Sequence, residues 1–178
     1  MKKQFLRWLS GFIPAIALFT NVNAQLEKPG PPFNPREFMF NEDKVAPAAP
    51  DENDNVNIDS RALKNFYKSF KNADKVNWFR IENGFVVKFK DEGVETRVFY
   101  NPKGRLSATI RTYGQDKLPP YIRKLVRSTY YDYKIYLVNE ITVGDKTAFL
   151  VSIEDPENVK TIRITDEDMD VYEDFQKI

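Results

Sequence analysis

Val76-Asn77-Trp78-Phe79-Arg80-Ile81 runs to Glu82-Asn83-Gly84, Phe85-Val86-Val87-Lys88-Phe89 runs to Asp91-Glu92-Gly93, and Val94 to Tyr100 follows. Apolar and polar residues alternate with period two, and each run ends in a short glycine-bearing turn. Parallel strands would need long crossovers, so these turns predict an antiparallel meander. Asn101-Pro102-Lys103-Gly104 supplies a third turn, and Leu106 to Thr112 a fourth strand. Upstream, Asp59 or Ser60 caps a helix in which Ala62, Leu63, Phe66 and Phe70 keep 3/4 spacing. Downstream the order restarts. Leu118-Pro119-Pro120 opens a second helix with inner residues Ile122, Leu125, Val126 and Thr129, and strands follow at Ile135 to Val143, Ala148 to Ile153, Val159 to Ile164 and Val171 to Phe175. Phe70-x-Asn72 aligns with Tyr130-x-Asp132, and Val76 and Trp78 align with Ile135 and Leu137. The expected fold is α+β: two helix-plus-antiparallel-meander repeats, with the helices packed on one face of the sheet.

Strict alternation assigns faces. Trp78, Val87, Val98, Leu106, Leu137 and Ile141 point inward, together with Leu125 from the second helix. Neighbouring residues in a strand face opposite ways, so Trp78 and Phe79 cannot share a face. The open face then carries Phe79, Ile81, Val86, Lys88, Arg97, Phe99, Arg105, Thr109 and Arg111. Aromatic and arginine side chains dominate binding hot spots, so the candidate partner-binding residues are Phe79, Lys88, Arg97, Phe99, Arg105 and Arg111. The plainer reading is an ordinary solvated face whose aromatics supply strand propensity and cross-strand pairing.

The chain has 178 residues, 27 basic and 26 acidic, with no cysteine and no histidine. Those absences remove Ser-His-Asp catalysis, thiol nucleophiles and zinc sites built on N/S ligands. Near-neutral charge gives no drive toward nucleic acid. Residues 1–24 read as a secretory signal: Lys2, Lys3 and Arg7 precede an apolar stretch from Trp8 to Phe19, and Val22-Asn23-Ala24 forms a cleavage site. Twelve helical residues rise only about 18 Å, too short for a bilayer core of roughly 30 Å. Export to the periplasm or beyond is expected, with no membrane insertion after cleavage. Residues 25–58 read as an acidic, proline-rich, disordered linker with six of the eleven prolines and 3 basic against 7 acidic residues. Phe33, Phe38, Met39 and Phe40 stand out within it, as a short docking motif or as stray linker aromatics. The domain is placed at 59–178.

Other candidate sites read as structural. Asp166-x-Asp168-x-Asp170 places oxygens at loop positions one, three and five, but an EF-hand needs Gly at six and Glu at twelve, where Val171 and Lys177 stand. A solvated turn accounts for it better. Glu140 reads as the outward residue of an alternating strand, and no carboxylate sits in an apolar stretch that would raise its pKa. Arg123, Lys124 and Arg127 read as a solubility face. No catalytic residue, metal site or cofactor is expected, and the chain is read as a non-enzyme.

Ala62-x-x-x-Phe66-x-x-x-Phe70-x-Asn72-Ala73-x-x-Val76-x-Trp78 resembles the opening of the β-lactamase-inhibitor-like, PepSY-like domains of exported bacterial proteins. So do Phe85-x-Val87-x-Phe89 before Gly93, Asn101-x-x-Gly104 before Leu106, Asp116-x-Leu118-Pro119, and Tyr130-x-Asp132-Tyr133-x-Ile135. The likeness spans roughly residues 59–175 and departs at Asp166-Glu167-Asp168-Met169, which lacks the glycine usual in that turn. It implies helices against an antiparallel sheet. The resulting expectation is a non-catalytic binding or inhibitory module of the bacterial envelope, contacting a protein partner through the open sheet face. The alternative is an interaction or chaperone-like subunit of an envelope assembly that works through the N-terminal linker.

Overall fold

The computed structural model describes residues 57–166 and 168–178. The signal and nearly all of the linker lie outside them. Helix α1 (Ser60–Ser69) precedes strands β1 (Ala73–Ile81), β2 (Gly84–Asp91), β3 (Val94–Tyr100) and β4 (Leu106–Tyr113). Helix α2 (Pro120–Thr129) precedes β5 (Lys134–Val143), β6 (Lys146–Glu154), β7 (Asn158–Ile164) and β8 (Met169–Gln176).

These strands form one eight-stranded antiparallel sheet in sequence order. The expectation of two helix-plus-meander repeats with helices laid on one face is corrected by this arrangement. β4 pairs directly with β5, from Thr109↔Thr142 to Tyr113↔Val138, so no boundary divides the sheet into two units. That pairing removes two strand edges that separate four-stranded units would each leave open. The helices are too short to form a layer. Each has ten residues, about 15 Å, against a sheet roughly 34 Å across. α1 fully buries only Ala62 and Phe66, and α2 only Ile122 and Val126. The molecule is chiefly sheet, with two local helical patches.

The patches differ in chemistry. Under α1, Phe66 lies edge-on to Trp78 at 5.4 Å and to Phe89 at 5.0 Å, and Phe70 meets Phe89 at 4.8 Å. Under α2 the cluster is mainly aliphatic: Val138, Val151, Ile153, Ile162 and Ile164 join Ile122 and Val126. The Asp59 carboxylate caps α1 by accepting from the Arg61 backbone N–H at 2.8 Å, while α2 starts after Pro119 with no side-chain cap. The β3–β4 turn holds α1 in place through Gly104. Its carbonyl accepts from Asn65 Nδ2 at 2.8 Å, and a Cβ there would stand 2.7 Å from the Ala62 nitrogen. Its φ of +69° is also a glycine conformation.

The register shifts at four places, in β1, β4, β5 and β8, and the shifts in β4 and β5 change which candidate residues share a face. Phe99 pairs with Ala108 but Tyr100 with Leu106, so Ser107 is an extra residue in β4. Ile135 pairs with Ile153 but Leu137 with Ser152, so Tyr136 is extra in β5. Each insertion reverses the phase of the strand beyond it. Ala108, Ile110, Leu137 and Ile141 thereby join Phe79, Val86 and Phe99 on the reverse face, away from the helix-bound clusters. Thr109, Arg111, Val138 and Glu140 turn to the side that the helices contact. Leu106, expected inward, is 45% exposed, and Leu125 is 40% exposed.

Candidate protein-binding face

The reverse face is apolar at its centre. Val86, Ala108, Ile110, Ile141, Ala148 and Leu150 are 0–1% exposed, and none belongs to either helix-bound cluster. Two rows cross it. One runs Lys88–Arg97–Ile110–Ile141–Ala148. The next runs Lys90–Glu95–Thr112–Asn139–Leu150–Arg163–Asp170. The second row is knitted by polar contacts. Lys90 Nζ meets Glu95 Oε1 at 3.0 Å, Thr112 Oγ1 donates to Asn139 Oδ1 at 2.8 Å, and Arg163 Nε donates to Asp170 Oδ1 at 2.9 Å. A depression of about 270 Å³ opens over Lys88, Glu95, Thr96, Arg97 and Thr112. The whole is an apolar centre with a polar margin that holds Lys88, Lys90, Arg97 and Arg163 beside Glu95 and Asp170.

Four of the six candidate residues meet here. Phe79, Lys88, Arg97 and Phe99 share the reverse face, with Lys88 Nζ 5.5 Å from the Phe79 ring centroid. Arg105 lies in the β3–β4 turn, where its N–H donates to Asn101 Oδ1 at 3.1 Å. Arg111 is on the opposite side, moved there by the Ser107 bulge, with Nη1 3.7 Å from Glu140 Oε2. Alternation counted from Leu106 missed Ala108, Ile110 and Ile141, because the two inserted residues reverse the count.

Glu140 shows the same phase change. Expected outward, it faces the helix side, and Oε2 accepts from the Tyr113 hydroxyl at 2.6 Å. Burial and then Glu140 push the Tyr113 phenol far above its ordinary range. With Arg111 and the hydrogen-bonded pair Thr142–Thr147, these groups form a polar seam at the β4–β5 junction. Tyr100 contrasts with Tyr113: its hydroxyl is buried without a partner, and burial pushes it up to about 12.

The acidic turn toward β8 is used in strand pairing. Asp170 pairs with Arg163, Asp174 with Lys160, and Glu173 accepts from Thr161. Among the described residues no group of three His, Cys, Asp or Glu side chains converges on a common point. Arg123 Nη2 donates to the Leu118 carbonyl at 3.0 Å, and Arg127 to Gln115 Oε1 at 3.2 Å, so two cations of the α2 outer face anchor the loop before it. Of the four clustered tyrosines, Tyr130 and Tyr133 pack on the aliphatic cluster, while Tyr131 and Tyr136 are exposed.

The sequence matches no protein-family model and no curated protein. Solved structures share the fold. A DUF2874 family protein from Bacteroides uniformis superposes with a TM-score of 0.53 at 16% identity, over 66% of this chain and 88% of that one. A BLIP-like protein from Bacteroides fragilis gives 0.53 at 16%, over 67% and 86%. The fold is similar to that of BLIP-like proteins. A Bacteroides eggerthii protein described as periplasmic gives 0.54 at 14% identity, over 67% and 88%. The β-lactamase-inhibitor-like resemblance carried by the Ala62–Trp78 stretch therefore has its counterpart in three dimensions. Among the described residues no helix is long and apolar enough to cross a membrane.

Proposed function

We propose that this chain is an exported, non-catalytic protein-binding module of the bacterial envelope, and that it binds through the reverse face of its sheet. One observation carries the reading: a contiguous apolar centre, from Val86 to Leu150, is edged by Lys88, Arg97 and Arg163 on strands rigidly held by their neighbours. Such a face is broad and shallow, which suits a protein better than a small molecule. Its basic margin favours a partner with acidic groups around an apolar contact. The signal-like N-terminus and the likeness to a protein described as periplasmic support an envelope location. The lack of histidine and cysteine, and the use of Glu140 in the Tyr113–Arg111 seam, support a non-catalytic role.

Photocrosslinkers placed at Lys88 and Thr112 in the exporting cell test this, with Lys124 on the outer face of α2 as the control. A discrete heavier adduct is expected from the first two positions and not from the third. Against the protein so identified, Phe79→Ala and Phe99→Ala should each weaken binding by about 2 kcal/mol. Equal adducts from Lys124, or unchanged affinity in the folded double variant, would overturn the reading.

A further inference from the structure

The two ends of the sheet carry opposite charge. Residues 59–81, which form α1 and β1, hold six basic and two acidic side chains. Residues 155–178, which follow β6 and form β7 and β8, hold eight acidic and three basic. The strand order sets these ends about 34 Å apart, several Debye lengths at physiological salt, so each presents its own sign. Among the described residues, β1 and β8 each pair with a strand on one side only. Edge strands present unpaired N–H and C=O groups, a template for another strand. Phe175 of β8 is 59% exposed, and so is half of the Asp174 side chain. Each edge strand has a bulge, but residues 77–81 of β1 and 173–176 of β8 run without one.

We propose that the occupant of each edge is a second copy of the chain, with β8 of one copy adding antiparallel to β1 of the next. Eight alternating strands are an even number, so a copy carried along the sheet sets its β1 antiparallel to the preceding β8, with the helices on the same side. One register matches both faces. Arg80 lies on the helix side opposite Phe85, and Asp174 lies on the helix side in the row of Ile153 and Lys160. Setting Arg80 against Asp174 brings Phe79 opposite Phe175 on the reverse face and Ile81 opposite Glu173. Opposite charges and aromatic pairs across neighbouring strands are both stabilising. Asp174 already holds Lys160, and a carboxylate has lone pairs for a second cation. A symmetric contact is disfavoured: β8 on β8 would set Asp170, Glu173 and Asp174 against their own copies, and β8 carries no cation. A head-to-tail contact does not close on itself, so copies add in a row. This contact uses the sheet edges, apart from the apolar reverse face, and goes beyond the proposed function.

The test uses the chain from Gln25 to Ile178. In about 10 mM salt, where screening is weak, its sedimentation should shift with concentration past the dimer, and in about 1 M salt it should sediment as a monomer. A monomer at low salt, or a dimer that grows no further, would overturn the proposal. Arg80→Asp and Asp174→Arg should each abolish growth alone, and mixing the two chains should restore it, because each reversed end then meets an opposite charge. Growth of either variant by itself, or no growth of the mixture while both variants keep the wild-type circular dichroism, would also overturn it. A second measurement does not depend on those charges. The chain has no cysteine, so Ile81→Cys with Glu173→Cys introduces the only two thiols. They lie at opposite edges of the sheet and cannot bridge within one chain. Oxidation should give a ladder of disulfide-linked chains, and its absence would overturn the head-to-tail contact.

Discussion

The sheet carries two helical patches with matched positions and different packing. Ala62 and Phe66 are the buried residues of α1, Ile122 and Val126 those of α2, and both helices close with an N–H bond from an aromatic residue, Phe70 or Tyr130. Under α1 a single ring carries the contact: Phe66 meets Tyr67, Phe70, Trp78 and Phe89 within 5.5 Å. Under α2 many branched aliphatic residues share the load. Aromatic pairs add geometry-dependent attraction to burial, whereas aliphatic packing depends chiefly on filled volume. The first patch is therefore centred on Phe66, and the second is distributed.

The largest test of that contrast is truncation. Phe66→Ala should destabilise by about 3–5 kcal/mol, and Ile122→Ala by about 2–3 kcal/mol, measured by urea unfolding. Equal losses would break the comparison. Next come the two buried tyrosines. Tyr113→Phe removes a hydrogen bond to the half-buried Glu140 carboxylate and should cost about 1.5–3 kcal/mol. Tyr100→Phe removes a hydroxyl that has no partner, so it should leave stability unchanged or raise it. A loss at Tyr100 as large as that at Tyr113 would show that its hydroxyl is satisfied.

The smallest effect is a pH dependence. The Arg61 side chain and backbone N–H hold Asp59 down at about 2. Asp155 resists some desolvation and is also held at about 2, by the Asn158 N–H, the Tyr133 hydroxyl and the Glu157 N–H. Both folded values lie below the ordinary 3.8, so each carboxylate stabilises the fold fully above that value and loses its contribution as pH falls toward 2. Asp59→Asn and Asp155→Asn should each flatten the fall in unfolding midpoint across that window. The change from Asp59→Asn should concern α1 alone, read by helix amide exchange, because α2 has no side-chain cap.

The strands were legible wherever alternation ran unbroken. From Asn77 in β1 through β3 the opposition of Trp78 to Phe79 and of Tyr100 to Phe99 follows directly from period two, and the registers agree. The candidate site was legible only in those strands, which is why Phe79, Lys88, Arg97 and Phe99 came together. From β4 onward the count failed at Ser107 and Tyr136. Neither residue type marks a bulge, and neither carries the glycine that often signals one.

By itself the sequence determined the local order: which segments are helices, where the strands turn, that neighbouring strands run antiparallel, and which catalytic chemistries are closed. Those properties depend on residues a few positions apart, on capping, periodicity and turn conformation. Only the tertiary structure decided that β4 closes onto β5 into one sheet, that Arg111 and Glu140 belong to a partly buried polar seam, and that Ile110 and Ile141 build an apolar reverse face. Each of these depends on cross-strand register, which is set by the pairing of residues 25 to 33 positions apart across an intervening helix. One inserted residue reverses the facing of the strand beyond it, and no pattern within a single strand records that choice.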